Sequence, residues 1–231
     1  MYFKITNENE CHHNFQYVDG LNILKEPFND DPNSKRFTGG LYFADVKNIF
    51  EYIEYGVYLR EVILPTENKE FKMVTDHNGG LRANMIMLGK KYDLFEVETF
   101  KYLIENGADI HTKNDHVITI CARLGHSDIV KYLIENGVVD IDAGTFDNAL
   151  SWSSRIGDLE MVKYLIGKGA NINSKNNKAL YNSIFFGNLE IVKYLVENGA
   201  DIHADNNYAL YLCEQYWKDD IKNYLLNYIR D

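Results

Sequence analysis

A dozen residues recur along this chain at an almost fixed distance. FKYLIENGADIH (100–111), VKYLIENGVVDID (130–142), VKYLIGKGANIN (162–173) and VKYLVENGADIH (192–203) are variants of one phrase. Its tyrosine falls at Tyr102, Tyr132, Tyr164, Tyr194 and, in a looser copy, Tyr224, giving spacings of 30, 32, 30 and 30 residues. A period of this length implies stacked units, because one such unit cannot bury its apolar face alone and must offer it to a similar neighbour.

Each phrase reads as an amphipathic helix. In the fourth copy Leu189, Val192, Leu195 and Val196 follow helical spacing and leave Glu190, Lys193 and Glu197 to water. Gly199 then stops the helix, as Gly107, Gly137 and Gly169 do in the other copies. A shorter helix precedes each: VITICARLG (117–125), ALSWSSRIG (149–157), ALYNSIFFG (179–187) and ALYLCEQYW (209–217). The first three close on a glycine, and Trp217 takes that place in the last unit, as a closing cap tolerates. Cys121, Ser153, Ser183 and Cys213 share one column of small side chains, which lets neighbouring helices approach. Two of the three cysteines are thereby packing residues rather than redox groups. The tyrosine column is read as packing between units.

The pattern ALxxxxxxGxLExVKYLxxxGAxI resembles the ankyrin repeat, in the wording favoured by ankyrin proteins of large DNA viruses, over about residues 84–231. The resemblance implies a mainly α fold: a helix-turn-helix solenoid of about four to five units (about 84–111, 112–143, 144–173, 174–203 and 204–231), preceded by a small α+β module at 1–83. Asn84 to Gly107 reads as a degenerate first unit. The family's Thr-Pro-Leu-His tetrad is replaced, for instance by Lys178-Ala179-Leu180-Tyr181. The stretch from Gly199 to Ala209 is about three residues shorter than a unit of roughly 33 implies. Stubby loops are expected in place of a hairpin finger.

Function implied by the resemblance is non-enzymatic protein binding on the concave side, through the short inner helices. In a viral setting this makes the protein an adaptor for a host or viral protein, intracellular and in the host cytoplasm. The inner-helix positions that vary between copies include Arg123, Trp152, Arg155, Tyr181, Phe185, Tyr208 and Tyr211, types enriched at binding hot spots. Trp152 shares a column with Ile120, Asn182 and Leu212. A fully buried column rejects an unpaired amide, so Trp152 is expected at the edge of the core, beside Arg123, Arg155 and Tyr181.

Residues 1–83 do not repeat. Tyr2 to Thr6 alternates like a strand, GGLYFAD (39–45) reads as a strand entering a helix over Val46 to Tyr55, and VYLREVILP (57–65) as another strand with Tyr58, Arg60 and Val62 on one face. Asp45 is placed to cap that helix. GLYFAD also resembles the middle of ADP-ribosyltransferase folds, which implies an alternative: an enzyme targeted by the repeats, with Tyr42 stacking on nicotinamide. That family also needs a histidine in the first strand and a late glutamate. MYFKIT offers no histidine, and neither Glu61 nor Glu70 suits the place of the late glutamate.

Charge and composition remove other classes. Formal net charge is −10, with 11 basic and 14 acidic residues in 1–95 (−3) and 13 and 20 in 96–231 (−7). Such a chain repels phosphate backbones, so no nucleic acid partner is expected. Three scattered cysteines argue against a disulfide framework. No apolar run approaches the roughly 20 residues that cross a bilayer, so no membrane partner is expected. Cys11-His12-His13 has metal-ligand residue types, but adjacent residues point apart and a distant ligand such as His77 would be needed. His111 and His203 fill a loop position taken elsewhere by Asp142 and Asn173. No metal, cofactor or catalytic residue is predicted, and the oligomeric state is not legible.

Overall fold

The alternating stretch at the N-terminus forms β1 (Tyr2–Thr6), the middle strand of a seven-stranded antiparallel sheet. A short hairpin of β2 (Cys11–His12) and β3 (Phe15–Gln16) follows, then β4 (Gly20–Ile23) and β5 (Leu41–Asp45). A 3-10 helix, Ile49–Tyr55, leads to β6 (Tyr58–Ile63), β7 (Met73–Thr75), β8 (Leu81–Ala83) and β9 (Met85–Asp93), and α1 (Val97–Glu105) closes this part. The strands lie in the order β4-β9-β6-β1-β5-β8-β7. The computed structural model describes residues 1–33, 39–75, 80–137 and 143–230 and divides into two units, Met1–Asn114 and Asp115–Asp231. His77 and Asp142 lie outside the described residues.

Two expectations need correction in the first unit. The chain is not mainly α, because the large sheet organises this half. Residues 85–93, expected to open the degenerate first unit, fold as a strand: β9 pairs with both β4 and β6. A run such as Met85-Ile86-Met87-Leu88 is equally compatible with a buried strand and a buried helix. Here the gap between β4 and β6 decides, burying Met85, Ile86 and Leu88 while Met87 faces out.

Tyr17, Leu41, Phe43, Val62, Ile86 and Leu88 form one core cluster. Elsewhere Phe3 meets Tyr102 of α1 edge-on at 6.1 Å, and Phe50 of the 3-10 helix lies 5.1 Å from Phe100 of α1. Asp45 Oδ1 accepts the Asn48 backbone N–H at 2.9 Å in the turn ahead of the helix, but Asp45 is not its cap: the helix is 3-10, begins at Ile49, has Asn48 at its N-cap and no side-chain cap bond. Gly56 ends it in an extended conformation, for a steric reason: a Cβ there would sit 2.1 Å from the Thr6 carbonyl oxygen.

Helix pairs build the second unit. Its helices are α2 (Thr112–Leu124, which crosses the division), α3 (Ser127–Glu135), α4 (Ala143–Ile156), α5 (Leu159–Gly167), α6 (Ser174–Phe186), α7 (Leu189–Glu197), α8 (Ala204–Gln215) and α9 (Asp219–Arg230). The inner helices α4, α6 and α8 stack on one another, and α5, α7 and α9 form the outer row. Cys121, Ser153, Ser183 and Cys213 are all buried, so their column brings the inner helices together. Tyr164 donates to Glu135 at 3.3 Å and Tyr224 to Glu197 at 3.5 Å, each bridging to the preceding unit.

The connections are short, and no strand occurs among the described residues of this unit. Asn171 and Asp201 each accept the backbone N–H two residues on, at 3.0 and 2.9 Å, which folds the loop tightly. Lys175-Asn176-Asn177 and Asp205-Asn206-Asn207 then make single left-handed turns before α6 and α8 continue. Asn and Asp tolerate that conformation better than other side chains do. Asn173 ties consecutive loops together, donating to the Gly199 carbonyl at 2.9 Å and accepting from the Asp201 N–H at 2.9 Å.

Candidate functional site

The inner helices bury their small column and turn larger side chains outward. Trp152 on α4 is half-buried, with the Arg123 guanidinium carbon 5.8 Å and that of Arg155 4.8 Å from its ring centroid. Arg155 also lies 4.8 Å from the Phe186 ring. Phe185 continues the line, 4.9 Å from Phe186 and 4.4 Å from Tyr216. A ridge of two guanidinium groups and four aromatic rings thus runs across α2, α4, α6 and the end of α8. Each arginine lies over a ring within cation–π range.

Tyr181, Tyr208 and Tyr211 form a second cluster. Tyr181 and Tyr208 meet edge-on at 5.0 Å, and Tyr208 and Tyr211 stack at 5.6 Å. The Tyr181 hydroxyl donates to Asp205 at 3.1 Å, and burial followed by this bond pushes its pKa up to about 12. A shallow groove beside it is lined by Lys175, Asn176, Lys178, Asp205 and Tyr208.

The seven residues singled out from sequence therefore fall into two groups: Arg123, Trp152, Arg155 and Phe185 on the ridge, and Tyr181, Tyr208 and Tyr211 in the tyrosine cluster. Tyr181 packs against Tyr208. In the Trp152 column, Ile120 and Leu212 are buried whereas Trp152 and Asn182 are half-buried. Asn182 is accommodated because its amide donates to the Ser151 carbonyl at 3.1 Å and hydroxyl at 2.9 Å.

Sequence reasoning missed a column. Leu124, Ile156, Phe186 and Tyr216, the residues just before the turn, are 46%, 44%, 43% and 43% exposed. The signal was present, since all four copies place a large apolar residue there where a solvated helix end needs none. Trp217 beyond them is 85% exposed and takes a left-handed φ of 48°, the conformation that Gly187 adopts at φ 80° in the preceding unit. The thiols of Cys121 and Cys213 are pushed up by burial, the latter to about 11, and neither is poised as a nucleophile.

In the first unit Tyr42 on β5 lines a cavity. No histidine stands on β1, Glu61 accepts the Tyr92 hydroxyl at 2.6 Å, and Glu70 is exposed in a turn. His12 and His13 have ring centroids 4.1 Å apart, and among the described residues no three His, Cys, Asp or Glu side chains gather as a metal site.

Stacked helix pairs with a repeated buried column and a variable outer ridge define a helical repeat protein, a class that works through its surface. The chain belongs to the ankyrin repeat family: the family described as ankyrin repeats (3 copies) matches residues 87–176, 118–206 and 150–230. It is similar to an ankyrin repeat protein of Acanthamoeba polyphaga mimivirus, 45% identical over 139 residues, 60% of this chain and 68% of that protein. An uncharacterized protein of the same virus is 49% identical over 134 residues, 58% of this chain and 97% of that protein. A further mimivirus ankyrin repeat protein is 46% identical over 136 residues, 58% of this chain and 41% of that protein. These similarities agree with a giant-virus type of ankyrin repeat protein. Among the described residues no helix is long and apolar enough to cross a membrane.

Proposed function

We propose that the second unit binds a protein through its inner-helix ridge, and that the chain is a non-enzymatic adaptor engaging a host or viral protein in the host cytoplasm. The observation that carries this reading is the ridge itself. Arg123, Trp152, Arg155, Phe186, Phe185 and Tyr216 are in contact as a series across four units and stay partly or largely exposed. Exposed apolar groups in one contiguous patch mark interaction sites, whereas scattered ones do not. Arg155 is exposed with its guanidinium carbon over the Trp152 ring, and guanidinium N–H groups suit carboxylates. The partner chemistry that fits is an apolar segment carrying an acidic residue.

The test uses the full chain as bait, wild type against Arg155→Glu with Phe186→Asp. A partner retained by the wild type and lost by the double variant, with unchanged circular dichroism, supports the reading. Equal retention by both removes the ridge as the binding surface. The enzyme reading rests on Tyr42 lining the cavity. Nicotinamide dinucleotide binding or auto-modification that disappears in Tyr42→Ala would favour it, and the absence of both removes it.

A further inference from the structure

β1 and β5 part company early. They pair at Tyr2↔Asp45 and Phe3↔Ala44 only, while β1 stays paired with β6 as far as Thr6. Residues of both strands line a cavity of about 70 Å³, walled by Lys4, His12, Tyr42, Phe43, Tyr52 and Tyr55 among others. At roughly 10–15 Å³ for each water position, it holds several waters or one flat ring.

Lys4 is the unusual member. The residue is 3% exposed, yet among the described residues the amine donates only to the Tyr42 carbonyl, at 2.8 Å, and it rests 4.4 Å from the Tyr17 ring centroid. An ammonium carries three donors. The carboxylates nearby serve other cations: Arg60 takes Glu10 at 3.1 Å and also Asp19, and Lys91 lies 3.6 Å from Glu10. Among the described residues no carboxylate pairs with Lys4, so a buried cation lacks its counter-charge. The cavity wall supplies the other half of the specificity, because Phe43, Tyr52 and Tyr55 line it together with Lys4. A single cation in an apolar setting suits a monoanion, not a phosphate dianion.

We propose that this cavity binds a small planar aromatic carboxylate, its oxygens accepting from Lys4 Nζ and its ring lying among Phe43, Tyr52 and Tyr55. The pH behaviour follows from the groups that face Lys4. Burial lowers the Lys4 pKa to about 7, and burial with the neighbouring Lys4 charge lowers that of His12 to about 4, so His12 is neutral at pH 6.5. Burial pushes the Tyr17 phenol upward, and Tyr42, Tyr52 and Tyr55 complete the set, with His13 and Arg60 alongside. The ammonium form binds the carboxylate. Binding is therefore strongest below pH 7 and weakens by up to about tenfold for each pH unit above it, with uptake of a proton.

Benzoate and its neutral counterpart benzamide are the probes, titrated into the full-length protein by calorimetry at pH 6.5 and pH 8.5. We expect saturable benzoate binding at pH 6.5 at least about tenfold tighter than benzamide, weakening about tenfold or more at pH 8.5. Two buffers of different ionisation enthalpy should report close to one proton taken up per benzoate at pH 8.5. Lys4→Met keeps the stem volume, removes the buried charge and should abolish the preference for benzoate. No saturable benzoate binding by the wild type, equal affinity for benzamide, or no proton uptake would each overturn the proposal. So would benzoate affinity unchanged in a folded Lys4→Met, and the wild-type proton count decides the matter if that variant does not fold.

Discussion

Gly56 in the sheet unit and Gly125 in the repeat unit both follow a helix, yet they are glycine for different reasons. Gly56 is extended, and a Cβ on it would run into the Thr6 backbone, fifty positions away along the chain. Gly125 is left-handed at φ 82°, and the nearest atom to a Cβ there is the end of Ile156, at an ordinary 3.6 Å. One glycine answers a distant partner and the other only its own dihedral. The contrast extends through the molecule. The sheet unit is fixed by unique long-range contacts, several of them buried charges such as Lys4, Arg60 and Arg82. The repeat unit is fixed by columns that each recur about every 30 residues.

This contrast can be broken first at its strongest point. Gly56→Ala should destabilise the sheet unit by about 3 kcal/mol or more, since backbone rather than a flexible side chain must yield. Amide hydrogen exchange resolves which unit loosens, and equal loosening of both would erase the distinction drawn here.

Next in size is Trp152→Ala. A fully buried aromatic costs roughly 3–5 kcal/mol on truncation to alanine, and the half-buried Trp152 should cost about 2 kcal/mol in denaturant titration. Partner affinity should weaken by about 1 kcal/mol or more. A full-sized loss of stability with unchanged affinity would place Trp152 in the core.

Gly125→Ala should cost only about 1–2 kcal/mol, the strain of a left-handed alanine. Per pH unit, a similar amount separates wild type from Lys4→Met between pH 7 and pH 10. Lys4 has a folded-state pKa of about 7, below its unfolded value of 10.5, so between those values the unfolded chain binds more protons. Wild-type stability should therefore rise relative to Lys4→Met by up to about 1.4 kcal/mol for each pH unit from pH 7 to pH 10. A flat difference in denaturant midpoints would show that Lys4 is not a buried amine. Smallest of all, Trp217→Gly should stabilise by up to about 1 kcal/mol by relieving a left-handed tryptophan. A loss of partner binding in the same variant would explain why strain is kept at an 85% exposed aromatic.

Legibility in the sequence follows the same divide. The helix pairs, their turn glycines and the buried Cys121, Ser153, Ser183 and Cys213 column could be read because each position is seen several times. Aligning copies averages away accident and leaves packing. β9 could not be read that way: Met85 to Leu88 occurs once, and its identity as a strand depends on β4 and β6, distant in sequence. The Lys4 cavity was equally hidden, since nothing in MYFKIT says that β5 will diverge from β1. Within the site, the arginine and tryptophan ridge was visible as variation against a constant frame. Leu124, Ile156, Phe186 and Tyr216 were passed over because they look constant, and constancy in a repeat reads as core. The structure shows them exposed.

The central claim is that the protein meets its partner on the inner-helix ridge. Hydrogen–deuterium exchange of the full chain, free and bound to a captured partner, tests it directly. The account predicts new protection concentrated in 149–157, 179–187 and 209–217, with the strands of the sheet unit unchanged. Protection confined to β1–β9, or to the outer helices α5, α7 and α9, would contradict it.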